Sequence, residues 1–174
     1  GQVRKLTPTG GAAGDYFGAS VALNEDTALV GAYRVDGSTG AAYVFARNRD
    51  GADAWGQVQH LTADGGATGD GFGTSVALAG DSALVGAPYV NGNTGAAYVF
   101  ARNHGGADAW GQASQLTADD GAANDWFGYS AALDGNTAVV GALYDDGGGP
   151  NAGSAYVFTR QPFQVYLPLV QNGE

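Results

Sequence analysis

Hydrophobic and polar positions along the chain follow one pattern that occurs three times. The stretch FGASVALNEDTALVGA begins at Phe17, FGTSVALAGDSALVGA at Phe72 and FGYSAALDGNTAVVGA at Phe127, so the copies are 55 residues apart. The segment GAAYVF at Gly40 returns at Gly95, and GSAYVF completes the third copy after an insertion of three residues. A fixed period of this length is typical of repeat architectures.

Each copy predicts four short strands separated by turn-forming residues. In the first copy they are SVALNE from Ser20, TALVGA from Thr27, AAYVFAR from Ala41 and WGQVQHLT from Trp55. The first three strands are apolar or small on both faces, whereas the fourth alternates polar and apolar residues. Strands of the first kind belong to a sheet that is covered on both faces. We therefore predict an all-β fold of four-stranded antiparallel blades of the β-propeller type, joined by Gly-, Asn- and Asp-rich turns.

The repeats predict a single domain with four internal parts. Residues 1–14 form an unpaired fourth strand and loop, residues 15–69 form blade 1, residues 70–124 form blade 2, and residues 125–174 form blade 3 with a non-repeat C-terminal tail. The first part is assigned because GQVRKLT at the start of the sequence matches the predicted fourth strands GQVQHLT and GQASQLT.

The composition favours a folded protein and disfavours two classes of partner. Although 31 of the 174 residues are Gly, 44% are hydrophobic and 11% aromatic, which is enough to build a core. Acidic residues number 17 against 7 basic ones, giving a net charge of −10, so nucleic acid and anionic membranes are not expected to bind. The sequence contains no Cys, which removes disulfides and thiolate metal sites.

The motifs GDYFGASVAL, TALVGA and GAAYVF, followed by Trp and LTADGG, resemble the FG-GAP repeat. This repeat forms the blades of integrin α-subunit propellers and occurs in many secreted bacterial proteins. The resemblance covers residues 2–158 and implies propeller blades, an extracellular or cell-surface setting of bacterial type, and adhesion or ligand binding rather than catalysis. Calcium-binding repeats of this family carry D-x-N-x-D-G between the first two strands. Here the segments are LNEDTA, LAGDSA and LDGNTA, which resemble the calcium-free bacterial branch, so no metal or cofactor is expected.

Recurring polar residues offer little support for catalysis. An Asp in a Gly-rich turn usually bonds its own backbone, which is the expected role of the residues before each Phe-Gly pair, Asp15, Asp70 and Asp125. One Ser recurs in every copy, as Ser20, Ser75 and Ser130, but no His recurs with it, so a catalytic triad is not expected. The two His residues, His60 and His104, are expected at the surface. A hydrolase remains only a third hypothesis.

Three blades are too few for a closed ring, because propellers have about four to eight. We therefore expect an incomplete propeller that is completed by oligomerisation, as a ring or as a filament. Either terminal segment can fill the vacant edge of blade 3. The predicted assembly residues are Gln2, Val3, Leu6, Phe163, Val165 and Leu167. An alternative is that the chain comes from a longer propeller, although FQVYLPLVQNGE breaks the repeat and resembles a natural end.

Positions that differ between otherwise matching copies are candidates for ligand binding. Tyr16 and Trp126 stand directly before Phe-Gly, and Tyr129 follows the same pair in the third copy. An exposed aromatic ring can stack on a sugar or pack against a protein. The sequence thus favours a secreted, non-catalytic protein that assembles with itself, with an adhesion or carbohydrate-binding module as the alternative. Its expected partners are further copies of itself and glycans or proteins of a cell surface.

Overall fold

The computed structural model describes residues 1–159, which form three antiparallel sheets. Sheet 1 contains β1 (Ser20–Asn24), β2 (Thr27–Ala32), β3 (Ala41–Ala46) and β4 (Gly56–Leu61). Sheet 2 contains β5 (Ser75–Ala79), β6 (Ser82–Ala87), β7 (Ala96–Arg102) and β8 (Trp110–Leu116). Sheet 3 contains β9 (Phe127–Asp134), β10 (Thr137–Ala142) and β11 (Ser154–Thr159). In each sheet every strand pairs with the next one along the chain, which confirms the predicted all-β fold of antiparallel blades.

Two single helical turns connect the second and third strands of sheets 1 and 2. They are α1 (Val35–Ser38) and α2 (Val90–Asn93). Each turn is interrupted by left-handed backbone, with φ of 48° at Asp36 and 69° at Gly37 in the first. Asn, Asp and Gly tolerate this conformation best, so the VDGS and VNGN sequences stop the helix after one turn.

The burial of the strands follows their hydrophobic pattern. In β2 the residues from Ala28 to Ala32 are all buried, and β6 repeats this pattern in sheet 2. The fourth strand β4 alternates between partly buried and exposed residues along Gln57 to His60. Sheets 1 and 2 are therefore covered on both faces at their second strands, and sheet 1 is more exposed to solvent at its fourth strand.

The sheets stack face to face. We call the face of a sheet that packs on the preceding sheet its leading face, and the opposite one its trailing face. In one core cluster the trailing face of sheet 1 supplies Leu29 and Val44, while the leading face of sheet 2 supplies Val76, Leu78 and Val85. A second cluster repeats this contact between sheets 2 and 3. Each sheet thus buries its apolar side chains mainly against its immediate neighbours, as in other repeat proteins.

Residues 1–14 contain no strand, whereas the sequence predicts a fourth strand there. A strand needs a hydrogen-bonding neighbour, and no described strand pairs with this segment. Leu6 nevertheless packs against the leading face of sheet 1, together with Phe17 and Trp55. The predicted assembly residues Phe163, Val165 and Leu167 lie outside the described residues.

Candidate functional site

A Ser hydroxyl joins each pair of neighbouring sheets. The Ser20 Oγ in β1 donates to the carbonyl oxygen of Gly73 at 2.8 Å. One repeat later, the Ser75 Oγ in β5 donates to the carbonyl oxygen of Gly128 at 2.7 Å. The recurring Ser therefore has a structural role that is not visible in the sequence, since the partner lies 53 residues away.

This contact requires Gly on the strand beside the Ser. A Cβ placed on Gly86 of β6 would lie 1.9 Å from the Gly128 carbonyl oxygen, and one on Gly31 of β2 would lie 2.1 Å from the Gly73 oxygen. In sheet 3 a Cβ on Gly141 would approach only the Ser130 side chain at such short range. The Gly of the second strand therefore lets the backbone of the next sheet come close enough to accept the hydrogen bond.

The first three strands of sheet 3 give its trailing face a composition similar to that of the covered trailing faces, but this face is exposed. Ser130 is exposed, and its hydroxyl forms no hydrogen bond with another of residues 1–159, unlike those of Ser20 and Ser75. Val157 is 67% exposed, whereas its counterpart Val44 in sheet 1 is 1% exposed. Val139 is 36% exposed, whereas its counterpart Leu84 in sheet 2 is 0% exposed. This face therefore carries the apolar residues and the hydroxyl donor of a contact between two sheets.

The first strand of the leading face of sheet 1 is the second exposed apolar surface. Val21 is 69% and Leu23 is 67% exposed, while the equivalent residues Val76 and Leu78 of sheet 2 are 8% and 9% exposed. The two open faces are therefore the two halves of the contact that the molecule forms internally twice. Because they differ from each other, they are suited to a head-to-tail contact.

The N-terminal segment lies on sheet 1 as a preceding fourth strand would. The backbone N–H of Thr9 donates to the Gln57 Oε1 at 2.8 Å, and one repeat later the N–H of Asp64 donates to the Gln112 Oε1 at 2.9 Å. Leu6 packs on the leading face of sheet 1. Its counterpart Leu61 belongs to the core cluster between sheets 1 and 2. Residues 1–9 thus occupy the position of the last strand of a sheet that would precede sheet 1.

The profile of the FG-GAP repeat family matches residues 1–45, 55–100 and 110–158. The chain belongs to the FG-GAP repeat family. The second and third matched segments begin at or near a fourth strand and end in the third strand of the following sheet, so each spans two sheets. The first begins in the N-terminal segment and ends in the third strand of sheet 1. FG-GAP repeats are typical of extracellular domains. Among residues 1–159 there is no helix long and apolar enough to cross a bilayer. No curated protein sequence matches the chain.

Aromatic residues of the three FG-GAP repeats meet at one end of the sheets, and we call this group the aromatic strip. Its members lie before the first strands, at the start of β9 and after the second strands: Tyr16, Tyr33, Arg34, Tyr89, Trp126, Tyr129 and Tyr144. The rings of Tyr16 and Tyr33 stack with centroids 5.6 Å apart. The Arg34 guanidinium lies over the Tyr16 ring at 5.0 Å. The strip therefore combines stacked rings with a cation.

At the end of the strip opposite Tyr16, the Trp126 ring contacts three tyrosine rings. Its ring lies 5.1 Å from Tyr89, 5.8 Å from Tyr129 and 4.7 Å from Tyr144, measured between centroids. Burial raises the pKa of Tyr89, and the nearby tyrosines Tyr129, Tyr33 and Tyr144 raise it further, while Arg34 lowers it. The predicted ligand residues Trp126 and Tyr129 are thus in contact. Tyr16 lies away from them, beside Tyr33 at the opposite end of the strip.

Two members of the strip have left-handed backbone. The φ angle is 53° at Tyr16 and 59° at Trp126, and the equivalent residue of the second repeat is Gly71, with φ of 69°. This conformation costs about 1–2 kcal/mol for a residue with a Cβ atom. The sequence does not reveal this strain. The aromatic side chains are therefore held at the surface of the strip in spite of a backbone that favours Gly.

The Asp residues near the loops hold turns. Asp15, Asp70 and Asp125 each accept a hydrogen bond from the backbone N–H three residues earlier. In the third repeat, Asp145 accepts hydrogen bonds from Ser154, from the Gly147 N–H and from the Tyr156 hydroxyl, and these bonds lower the pKa of its carboxyl. The Asp145 carboxylate thus ties the inserted loop to β11.

Proposed function

We propose that the chain is a non-catalytic FG-GAP module that associates head to tail with further copies of itself. In this contact the trailing face of sheet 3 packs on the leading face of sheet 1 of a second copy. The observation that carries the proposal is that exposed residues of these two faces, such as Val157 and Leu23, are the counterparts of residues buried in the internal contacts between sheets. Burying one Val or Leu side chain contributes about 1.5–3 kcal/mol, so joining the faces removes a substantial apolar surface from water.

The same contact brings a strand to the edge of sheet 3. Since residues 1–9 lie where a preceding fourth strand would lie, a second copy that packs on sheet 3 carries its own N-terminal segment to β11. There the segment gains the backbone hydrogen bonds that it lacks on sheet 1. Gln2, Val3 and Leu6 then correspond to Gln57, Val58 and Leu61 of β4.

A ring and a filament both follow from a head-to-tail contact, according to whether the rotation between copies closes. An extracellular, structural role suits either product, since FG-GAP repeats are typical of extracellular domains. Both recurring Ser hydroxyls at covered faces donate to backbone carbonyls, which supports a structural rather than a nucleophilic role.

A mixing experiment with two variants tests the proposal. Val157→Glu places a charge on the trailing face of sheet 3, and Leu23→Glu places one on the leading face of sheet 1. In a head-to-tail assembly each variant alone is monomeric by light scattering, because every contact contains one altered face. An equimolar mixture forms dimers that grow no further, because only one intact pair of faces remains.

Two results contradict the proposal. One is an unaltered chain that stays monomeric at all concentrations measured. The other is a single variant that still dimerises alone, since this requires a face that packs on itself. Thr62→Glu, which adds the same charge to an exposed loop residue, is the matched control and is expected to associate like the unaltered chain.

A second candidate function is adhesion or carbohydrate binding through the aromatic strip. It is favoured by the left-handed backbone at Tyr16 and Trp126, because strain of this kind is characteristic of functional positions. A glycan array and a pull-down on cell-surface material test it. Binding that is lost in Trp126→Ala or Tyr129→Ala supports the candidate, and no binding in either assay refutes it.

A further inference from the structure

A cavity of about 380 Å³ lies between sheets 2 and 3, in the size range of small ligand sites. Leu133, Ala138 and Phe158 of sheet 3 form one wall, and Val99 and Leu116 of sheet 2 form the other. The lining is apolar except near its rim, so the cavity suits a large apolar group. No side chain of residues 1–159 fills it.

The repeat shows which group the cavity accepts. At the start of the sheet stack, Trp55 lies beside Leu23, Ala28 and Leu6 in a shallow groove. One repeat later, Trp110 is 5% exposed in a core cluster with the equivalent residues, which are Leu78, Ala83 and Leu61. One further repeat on, the equivalent residues are Leu133, Ala138 and Leu116, and they line the cavity. The cavity is therefore the third copy of a Trp position.

The backbone of Trp110 is also held by the preceding sheet. Gln59 of β4 donates from its Nε2 to the Trp110 carbonyl at 2.6 Å and accepts the Trp110 N–H at its Oε1 at 2.7 Å. At the cavity the residue equivalent to Gln59 is Ser114, whose shorter side chain lines the rim. The apolar pocket is thus present in the third copy, while the two-point clamp on the backbone is absent from the described residues.

We propose that this cavity binds the indole ring of an extended peptide that adds to the edge of β11 as a fourth strand, in place of the N-terminal segment of a second copy. The peptide has the pattern of the protein's own fourth strands, in which Trp is followed by Gly and Gln, and Leu lies four residues after the Gln. The indole fills the cavity, and the peptide backbone pairs with β11, which is the edge strand of sheet 3 among the described residues. Main-chain pairing supplies affinity and the pocket supplies selectivity for the aromatic ring.

The test uses a labelled peptide with the sequence of residues 109–117, AWGQASQLT, and fluorescence anisotropy. The receptor is the Leu23→Glu chain, whose trailing face is intact, at a concentration at which light scattering shows monomers. The peptide is expected to bind, and its Trp110→Ala version is expected to bind at least about tenfold more weakly. Equal binding of the two peptides, or no binding of the Trp peptide, overturns the inference but leaves the proposed self-association intact.

A gain of affinity provides the second arm. Ser114→Gln restores the side chain that clamps Trp110 in the preceding contact, and two added hydrogen bonds are expected to strengthen peptide binding about tenfold. Thr62→Gln, at an exposed position just after sheet 1 and away from the cavity, is the matched control and is expected to leave the affinity unchanged. If Ser114→Gln has no more effect than the control, the peptide does not lie in the register proposed.

Discussion

The hydrogen bond between neighbouring sheets can be tested because the same Ser occurs in a covered and in an open position. Ser75→Ala removes the donor to the Gly128 carbonyl, and Ser75 is only 8% exposed. A buried acceptor left without a partner costs about 1–3 kcal/mol. Ser130 has the same place in its strand but is exposed, and exposed substitutions usually change stability by less than about 0.5 kcal/mol. Ser20→Ala, at a partly buried bond, is expected to fall between the two.

Equilibrium urea unfolding, followed by far-ultraviolet circular dichroism, measures these differences. The samples are diluted until light scattering shows monomers, because association would add its own stabilisation. The slopes of the three variants are expected to agree, so that the midpoints report stability alone. Equal midpoints for Ser75→Ala and Ser130→Ala would refute the argument, since the sheets would then be held without the Ser contact. At higher concentration Ser130→Ala is expected to weaken self-association.

Two further predictions concern the backbone and the inserted loop. Gly86→Ala is expected to destabilise the fold by about 3 kcal/mol or more, since its Cβ would lie 1.9 Å from a backbone oxygen. Gly141→Ala meets only the Ser130 side chain and is expected to destabilise the fold less. Thermal unfolding of the two variants compares these effects. The pKa of Asp145 is lowered in the folded protein, so its contribution is present above the usual carboxyl range and is lost as the pH falls through its folded pKa. Urea unfolding at several pH values is therefore expected to show a weaker acid dependence for Asp145→Asn, and an unchanged pH profile contradicts this.

The sequence predicts the sheets well because their signal is local and repeated. Strands such as β2 and β6 have small or apolar residues at every position, and turn residues separate them, so the period, strand number and burial on both faces follow from the pattern. The N-terminal segment is different, because whether GQVRKLT is a strand depends on a neighbouring edge and not on its own residues.

Contacts between sheets are the part that the sequence does not show. The Ser20 bond joins residues 53 apart, and its geometry depends on how closely two sheets stack. From the sequence alone, the recurring Ser is therefore only a candidate nucleophile that lacks a recurring His partner. The strain at Trp126 is similarly hidden, although Gly71 at the equivalent position is a signal that left-handed backbone is required there.

The offset between the FG-GAP segments and the sheets affects how such an array can lengthen. Duplication of one segment, such as residues 55–100, inserts a last strand that finishes the sheet before it together with three strands that start a new one. The inserted unit contributes residues to both sheets of one sheet-to-sheet contact, because a last strand and the three strands of the next sheet are encoded in one continuous stretch. Such arrays can therefore gain units by tandem duplication, or lose them by deletion, while every interior sheet keeps its full set of strands.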